Sequence, residues 1–426
     1  MSERPRPVET VLAVMAAPRV RQALTIAILG FTLAADVLRV AWGRPGEIAV
    51  HTALVLLAAL SWAGLRGEVA WRGILPVSLL ALLGWVLLSV VWTEYRQVTI
   101  PAVLGFAATV FLGMYVAVAR DLIQLVRAFG DVLRAVLVVS LGLELLSGIV
   151  LDTPLPFLGI AGNLAEGGPI QGILGTRNHL GFIAGVGIVT FLVEWRTRSV
   201  RRPTSLVSLV TAAVLVVFSG SPVTVVVLAG VGAAGLVLWG LRRAGERLRR
   251  MLQPFILVAA GVVAIVVWSV RDRVLALLDA TGDFGARVEL WRQLLDLVRQ
   301  FPVEGWGWAG AWPRIFPFTT TAPPGERMPS SALNAYLDVM LQLGLVGLGL
   351  FVLALGLATW RAWLVAGEAR STVNTWPALV LLLIVATGLA ESYPLTGGGL
   401  VLFTAACIAA ARKRSWRGRL PDTPSP

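Results

Sequence analysis

The segment "QGILGTRNHLGF" brings three polar residues together immediately before an apolar run. Arg177, Asn178 and His179 follow one another there, and His179 is one of only two histidines in the chain. A histidine can accept a proton near neutral pH, and a guanidinium binds phosphate oxygens through a planar fork of donors. The segment could therefore hold an anionic ligand and accept a proton, although a lone histidine at a membrane surface is more often simply hydrogen-bonded or solvated.

The segment "FGARVELWRQLLDLVRQFPVEGWGWAGAW" has the pattern of a helix followed by a loop. Arg287 and Trp291 are four residues apart, which places a guanidinium and an indole on one helix face. Such an arginine is a suitable diphosphate ligand because it does not deprotonate. The alternatives are that Arg287 pairs with Asp283 or Glu289, or that it extends to lipid headgroups.

The loop "PVEGWGWAGAW" combines a proline, several glycines and three tryptophans. Its aromatic rings could stack on a sugar ring beside polar backbone groups. Tryptophan is also enriched where a membrane meets water, and an interfacial belt is the more common explanation of such a cluster.

The segment "PSSALNAYLDVMLQLGLVGLGLF" begins as a polar helix start and continues as an apolar run. Asn334, Asp338 and Gln342 recur every four residues and form a polar stripe. An ionisable group in a membrane is costly and faces the bundle interior or a water-filled cavity, so Asp338 is a candidate base. Ser330 and Ser331 are expected to cap the helix.

Other polar residues lie near the ends of apolar runs. Ser219 and Ser221 flank a tight turn and are expected to form the turn first and bind a ligand second. Glu391, in "GLAESYPLTGGG", and Glu144 could each neutralise Arg287 or bind substrate.

Three further polar residues lie in the first two apolar runs. Asp36 and Arg39 are one helical turn apart and most simply pair with each other. His51, the second histidine, has no obvious partner.

The composition is that of an integral membrane protein. The 426 residues are 57% hydrophobic and only 14% charged, whereas soluble proteins carry about 25% charged residues. Arginines account for nearly all of the positive charge and fall between apolar runs, which indicates membrane topology rather than nucleic-acid binding. Cys407 is the only cysteine, and no metal-binding or nucleotide-binding motif occurs, so we expect no metal and no cofactor.

Twelve stretches approach the roughly 20 apolar residues that a spanning helix needs. They are residues 22–42, 48–65, 73–92, 99–119, 132–151, 179–194, 204–220, 222–240, 254–270, 339–360, 376–390 and 398–411. A cytoplasmic N-terminus places the arginine-rich loops "LRGEVAWR", "RTRSVRR" and "LRRAGERLRR" and the tail "RKRSWRGR" inside, as the positive-inside rule requires. We therefore expect an all-α polytopic integral membrane protein of about 12 transmembrane helices, one domain over 1–426, with both termini cytoplasmic. A long outer-face loop, 271–338, lies between helices nine and ten and would cover the site.

Taken together, these motifs resemble those of the bacterial O-antigen ligase and O-antigen polymerase superfamily over about residues 85–400. The segment containing Arg287 and Trp291 matches the pattern "R...W..al.li...P..G.G...f", and "LNAYLDVMLQLGLVGLGLF" matches "HN.yl..l.e.G..G...f". The segments "LSVVWTEYRQVTI", "GTRNHLGF" and "FSGSPVTVVV" are similar to weaker motifs of the family.

The resemblance implies an inverting membrane glycosyltransferase of the bacterial cytoplasmic membrane that needs no metal. The donor would be a polyprenyl-diphosphate-linked glycan, and the acceptor a glycan or glycolipid hydroxyl at the outer face. Arg287 carries over onto the arginine that binds diphosphate, and Asn334 and Tyr336 onto the "N.yl" motif. Leu333 stands where the family has its acceptor-activating histidine, and Pro222 where it has a second arginine.

Two replacements for the missing groups are open. Arg177 could supply the second diphosphate contact and His179 the proton acceptor, or else Asp338 or Glu391 could serve as the base. The expected catalytic residues are Arg287, His179 and Asp338. The expected substrate-binding residues are Arg177, Asn178, Ser219, Ser221, Trp291, Asn334, Tyr336 and Glu391.

Two other functional classes remain open. One is a non-catalytic relative that binds lipid-linked glycan, which the missing histidine favours. The other is a transporter or flippase, which would need polar residues through the whole membrane thickness, whereas several predicted helices are nearly free of charge.

Overall fold

The computed structural model describes residues 7–65, 76–321 and 329–412. These ranges contain fifteen α-helices and no β-sheet. The helices are α1 Pro7–Ala16, α2 Pro18–Leu33, α3 Ala35–Gly64, α4 Val77–Trp92, α5 Arg96–Val118, α6 Leu122–Leu145, α7 Arg177–Thr197, α8 Arg202–Ser219, α9 Pro222–Arg243, α10 Glu246–Ser269, α11 Arg271–Leu277, α12 Thr281–Val298, α13 Ala335–Glu368, α14 Thr375–Gly388 and α15 Gly397–Arg412. Most of the predicted cytoplasmic loop "LRGEVAWR" and tail "RKRSWRGR" lies outside the described residues.

The all-α polytopic membrane fold is confirmed. Within the described ranges, eight helices are long and apolar enough to cross a membrane, or nine if a bent pair at the N-terminus forms one span. Three shorter apolar helices, which include α4 and α15, accompany them. An apolar helix satisfies its own backbone hydrogen bonds, which lipid cannot do. The number of about twelve spanning helices stays a prediction.

Small residues let neighbouring helices pack closely. A side chain at Gly113 of α5 would meet Thr404 of α15 at 2.8 Å, and one at Gly181 of α7 would collide with Thr224 of α9. Close approach of this kind is typical of helix pairs in membranes, where packing rather than apolar burial holds helices together. Helix α10 differs from the others, since none of its residues is buried inside the protein.

Two helices are broken at a glycine that adopts a positive φ. Gly43 (φ 68°) interrupts α3, and Gly344 (φ 66°) interrupts α13. At the second break, the loop 302–307 contacts the helix backbone: the amide of Leu345 donates to the carbonyl of Pro302 at 2.8 Å. The amide of Gly307 in turn donates to the carbonyl of Gln342 at 2.8 Å. The loop and the broken helix therefore form one unit.

Candidate functional site

A buried ion pair joins the long loop to the linker between α14 and α15. Nη2 of Arg287 donates to Oε1 of Glu391 at 2.8 Å, and the two side chains are only 12% and 5% exposed. Nη1 of Arg287 donates to the carbonyls of Leu333 and Ala390. The guanidinium is thus fixed on three sides, while its remaining N–H donors are left over for another acceptor. The alternative pairing of Arg287 with Asp283 or Glu289 is wrong.

The same network extends to α7 and α9. Nδ2 of Asn178 donates to Oε1 of Glu391 at 2.6 Å, and the hydroxyl of Ser221 donates to Oδ1 of Asn178 at 2.7 Å. Ser221 also caps α9, because its oxygen accepts from the amide of Thr224 at 3.2 Å. The structure therefore brings together four of the predicted site residues, Arg287, Glu391, Asn178 and Ser221.

The start of α13 is held between α12 and α14. Nε1 of Trp291 donates to the carbonyl of Ala332 at 2.9 Å, and the predicted shared face with Arg287 is confirmed because both side chains contact residues 332–333. Asn334 caps α13 by accepting from the amides of Tyr336 and Leu337, and its Nδ2 donates to the carbonyl of Leu389 at 3.1 Å.

The expected cap by Ser330 and Ser331 is wrong. Asn334, with an extended φ of −167°, is the residue that satisfies the first amides of α13. The oxygen of Ser331 instead accepts from the amide of Leu333 at 3.3 Å. Leu333 has a φ of 49°, a left-handed conformation that is uncommon for a bulky residue and in which histidine is several-fold enriched.

Asp338 binds the loop of residues 302–312, which contains Trp306, Trp308 and Trp312 and is called the tryptophan loop below. Its Oδ1 accepts from Nε1 of Trp312 and from Nε2 of Gln342, each at 2.8 Å, and its Oδ2 accepts from the amide of Ala332 at 3.3 Å. Oε1 of Gln342 accepts from the amides of Ala309 and Gly310. The predicted polar stripe is therefore present, and two of its members, Asp338 and Gln342, bind the tryptophan loop.

The tryptophans of that loop do not form an interfacial belt. Trp306, Trp308 and Trp312 are only 7%, 2% and 8% exposed. Trp308 packs against Phe106 of α5, with 4.9 Å between the ring centres. The tryptophans are therefore part of the core that supports the site.

His179 is held in one orientation. Its Nδ1 lies 3.0 Å from the carbonyl of Leu174, and a carbonyl only accepts, so Nδ1 carries a proton and Nε2 has the lone pair in the neutral ring. The ring stacks on Tyr393 with 4.5 Å between centres and an angle of 21°.

The Tyr393 hydroxyl is 3.0 Å from that of Thr176. Burial raises the pKa of the Tyr393 phenol well above its ordinary value, and Glu391 contributes in the same direction, so the phenol stays protonated.

A cavity of about 500 Å³ lies beside this network. It is lined by residues from α2, α3, α5, α7, α13 and α15, from the linker before α15 and from the tryptophan loop. His179, Asp338 and Tyr393 contribute to its walls, and so does His51 from the other side. The sequence analysis did not identify Thr176 or Tyr393 as site residues. Their positions next to predicted site residues, Thr176 in "TRNH" and Tyr393 in "ESYP", could have indicated them.

The remaining predicted site residues lie around the network. Arg177 forms an ion pair with Asp283, and both side chains are partly exposed. The hydroxyl of Tyr336 donates to the carbonyl of Val385 at 3.1 Å. Ser219 is buried and donates to the carbonyl of Val216 at 2.7 Å, so it acts within its own helix rather than at the site.

Glu144 anchors the segment that precedes α7. Its Oε1 accepts from the amides of Gln171 and Gly172 at 3.0 and 2.7 Å, and only 1% of the residue is exposed. Glu144 therefore has neither of the two roles that the sequence suggested, which were to neutralise Arg287 or to bind substrate. Over 7–65, 76–321 and 329–412, no group of three His, Cys, Asp or Glu residues is placed to hold a metal ion.

Comparison with known proteins gives one family. Residues 207–352 match the family described as O-antigen ligase. Among curated proteins there is no match to the chain. The matched range contains Arg287, Trp291 and Asn334, whereas His179 and Glu391 lie outside it. Over this range, the predicted resemblance to the O-antigen ligase and polymerase superfamily is confirmed.

Proposed function

We propose that this membrane glycosyltransferase of the O-antigen ligase and polymerase type transfers a glycan from a polyprenyl-diphosphate donor to an acceptor hydroxyl at the outer membrane face. The observation that carries the proposal is Arg287, a guanidinium anchored on three sides, with donors left over. A fixed guanidinium binds a diphosphate at little cost in side-chain entropy.

A second arginine lies close to Arg287. Arg177 pairs with Asp283, which precedes Arg287 by four residues on α12 and therefore shares its helix face. Asp283, the partner of Arg177, and Arg287 are thus about one helical turn apart on α12, roughly 5 Å along the helix axis. A diphosphate could bridge the two arginines and replace the carboxylates of Asp283 and Glu391 as their partner.

His179 is the group best placed to accept the acceptor's proton. Its Nε2 lone pair is fixed by the Leu174 contact, and the residue lines the cavity. Asp338 has less support, because three donors already occupy its oxygens. In the proposed step the acceptor oxygen attacks the anomeric carbon, the bond to the diphosphate breaks, and polyprenyl diphosphate leaves with the electron pair. The proton passes to Nε2, and attack opposite the leaving group inverts the anomeric centre. No step requires a metal.

The arginine distribution supports an outer-face site. The turn between α7 and α8 carries Arg198, Arg201 and Arg202 at the end of the bundle opposite His179, and Arg242 and Arg243 end α9 there. Arginine-rich short loops favour the cytoplasmic side. The network and the cavity would then face outward, where lipid-linked glycans are assembled into envelope polysaccharides.

The test is turnover of a lipid-linked donor by the purified chain in vesicles. We expect release of polyprenyl diphosphate that requires acceptor and is strongly reduced in Arg287→Gln. Unchanged release in Arg287→Gln would contradict the proposed diphosphate role. Movement of donor across the bilayer without consumption would indicate a flippase instead.

The second candidate function is a non-catalytic receptor for lipid-linked glycan. Leu333 favours it, because this residue occupies the family's histidine position in a left-handed conformation. A receptor would bind donor without releasing diphosphate, and Leu333→His would be needed for turnover. If His179 is the base, wild-type protein is active and Leu333→His adds little.

A further inference from the structure

The cavity has one wall that lies outside both the matched family range and the proposed catalytic groups. This wall comes from the break in α3 and carries Asp36, Arg39, Glu47 and His51. Eight residues of unbroken helix span about 12 Å, too far for a direct contact between Arg39 and Glu47. The break at Gly43 allows it: Nε and Nη2 of Arg39 donate to the two carboxylate oxygens of Glu47 at 2.7 and 2.8 Å.

The charge of the cavity lining excludes a diphosphate as its preferred ligand. Among the described lining residues, the carboxylates of Asp36 and Glu47 stand against the single guanidinium of Arg39, while buried Asp338 is occupied by donors of the protein. Arg177 and Arg287, the proposed diphosphate ligands, are not part of the lining. A ligand with two phosphate charges would meet net repulsion here, whereas hydroxyl or amino groups can donate to the carboxylates and accept from Arg39.

The wall also includes an aromatic pair, His51 and Phe31. Nε2 of His51 is buried and has no hydrogen-bond partner among the described residues, although an unsatisfied buried polar atom is costly. His51 packs against Phe31, with 5.7 Å between ring centres, and both residues line the cavity. Aromatic faces beside charged hydrogen-bonding groups are suited to a sugar ring.

The wall is accessible at one end and closed at the other. The side chains of Asp36 and Arg39 are 54% and 52% exposed at the mouth. Asp338, which also lines the cavity, is only 1% exposed, and His179 lines the same cavity. The exposed Asp36 and Arg39 and the proposed base His179 therefore share one cavity.

We propose that the Asp36, Arg39, Glu47 and His51 wall is a saccharide subsite that binds a neutral or amino-bearing sugar residue next to His179. The proposal rests on the proposed glycan transfer. In this proposal the diphosphate binds at α7 and α12, whereas the sugars bind at α3. The sugar belongs to the donor glycan or to the acceptor glycan, which share this chemistry.

The test measures binding directly, in the absence of donor lipid. The probe is the oligosaccharide released by mild acid from the host's own polyprenyl-diphosphate glycan, and its Kd for the purified full chain is read from tryptophan fluorescence, since Trp308 lines the cavity. Arg39→Gln and Glu47→Gln should each raise the Kd about tenfold. Arg44→Gln is the matched control, because Arg44 is exposed on the same break and does not line the cavity; its Kd should not change.

Two results would overturn the proposal. One is an unchanged Kd in both cavity variants with unaltered helical circular dichroism. The other is displacement of the bound oligosaccharide by inorganic diphosphate, since the charge of the wall predicts none. In the transfer assay, the KM that rises in Arg39→Gln identifies the substrate bound: the acceptor's KM for an acceptor subsite, the donor's KM for a donor subsite.

The proposed function and the subsite can fail separately. Saccharide binding that depends on Arg39 without release of polyprenyl diphosphate would reject the transfer and retain the subsite. Turnover with wild-type KM values in both variants would reject the subsite and retain the transfer.

Discussion

Arg287 and Arg39 lie at the same end of the molecule and both pair with a glutamate, yet their surroundings are opposite. Arg287 is 12% exposed, and its partners come from distant parts of the chain, 46 to 104 residues away. Arg39 is 52% exposed, and its partners lie in its own helix. The first arginine is therefore part of what holds the bundle together, whereas the second can be changed without disturbing it. Stability and saccharide binding should accordingly respond to different substitutions.

The largest effect is expected for Glu391→Ala. It leaves the Arg287 guanidinium buried without its carboxylate and removes the acceptor of Asn178, so the free energy of unfolding should fall by about 3–5 kcal/mol. Unfolding in detergent, followed by helical circular dichroism, measures it. Glu289→Ala is the matched control, because this exposed carboxylate has only long contacts with Arg292 and Gln293, at 3.5 and 3.4 Å, and should change stability by about 0.5 kcal/mol or less. Equal losses in the two variants would contradict the comparison.

His179→Ala is expected to reduce kcat about a hundredfold, the usual contribution of a general base, and to leave the donor KM nearly unchanged. The kcat of His179→Asn should fall by a similar factor, because asparagine can still donate to the Leu174 carbonyl but offers no proton acceptor at the Nε2 position. Rates of polyprenyl diphosphate release provide the measurement. Full activity in His179→Asn would show that His179 has a structural role and is not the base.

Gly344→Ala should destabilise the protein by about 2 kcal/mol, because the residue has a φ of 66° and a side chain there would collide with the Val303 carbonyl. Since α13 carries both Asn334 and Asp338, this change should affect the network and the cavity together. Gly349→Ala, on the same helix with open space around it, should be neutral or slightly stabilising in the same unfolding assay.

The smallest effect on stability is expected for Arg39→Gln. Half-exposed ion pairs contribute little, so the free energy of unfolding should change by about 0.5 kcal/mol or less, although the same variant should bind saccharide weakly. A loss approaching that of Glu391→Ala would show that the two arginines do not differ as described.

Local patterns predicted the local features of the site. The four-residue spacing put Arg287 and Trp291 on one face, and the polar stripe from Asn334 to Gln342 does face the protein interior. The spacing could not show that the stripe binds the tryptophan loop, since Ala309 and Gly310 meet Gln342 only after the loop folds back.

The sequence could not predict which residues from distant parts of the chain contact one another. Glu391 was one of several possible partners for Arg287, and the choice depends on the linker after α14 packing against α12. His51 had no visible partner because the cavity that it shares with His179 forms only when α3 and α7 are brought together. The cap at Asn334 was missed for a different reason: Ser330 and Ser331 are equally good capping residues, and tertiary contacts decide where α13 begins.

The break at Gly344 also bears on the order of events during biosynthesis. A helix interrupted at its tenth residue leaves backbone amides without partners, and each would cost several kcal/mol in lipid. The partners of Leu345 and Val346 are the carbonyls of Pro302 and Val303, which are synthesised before α13. We therefore expect α13 to reach its broken form only once the preceding loop has docked against it, which would make this loop a guide for the membrane helix that follows it.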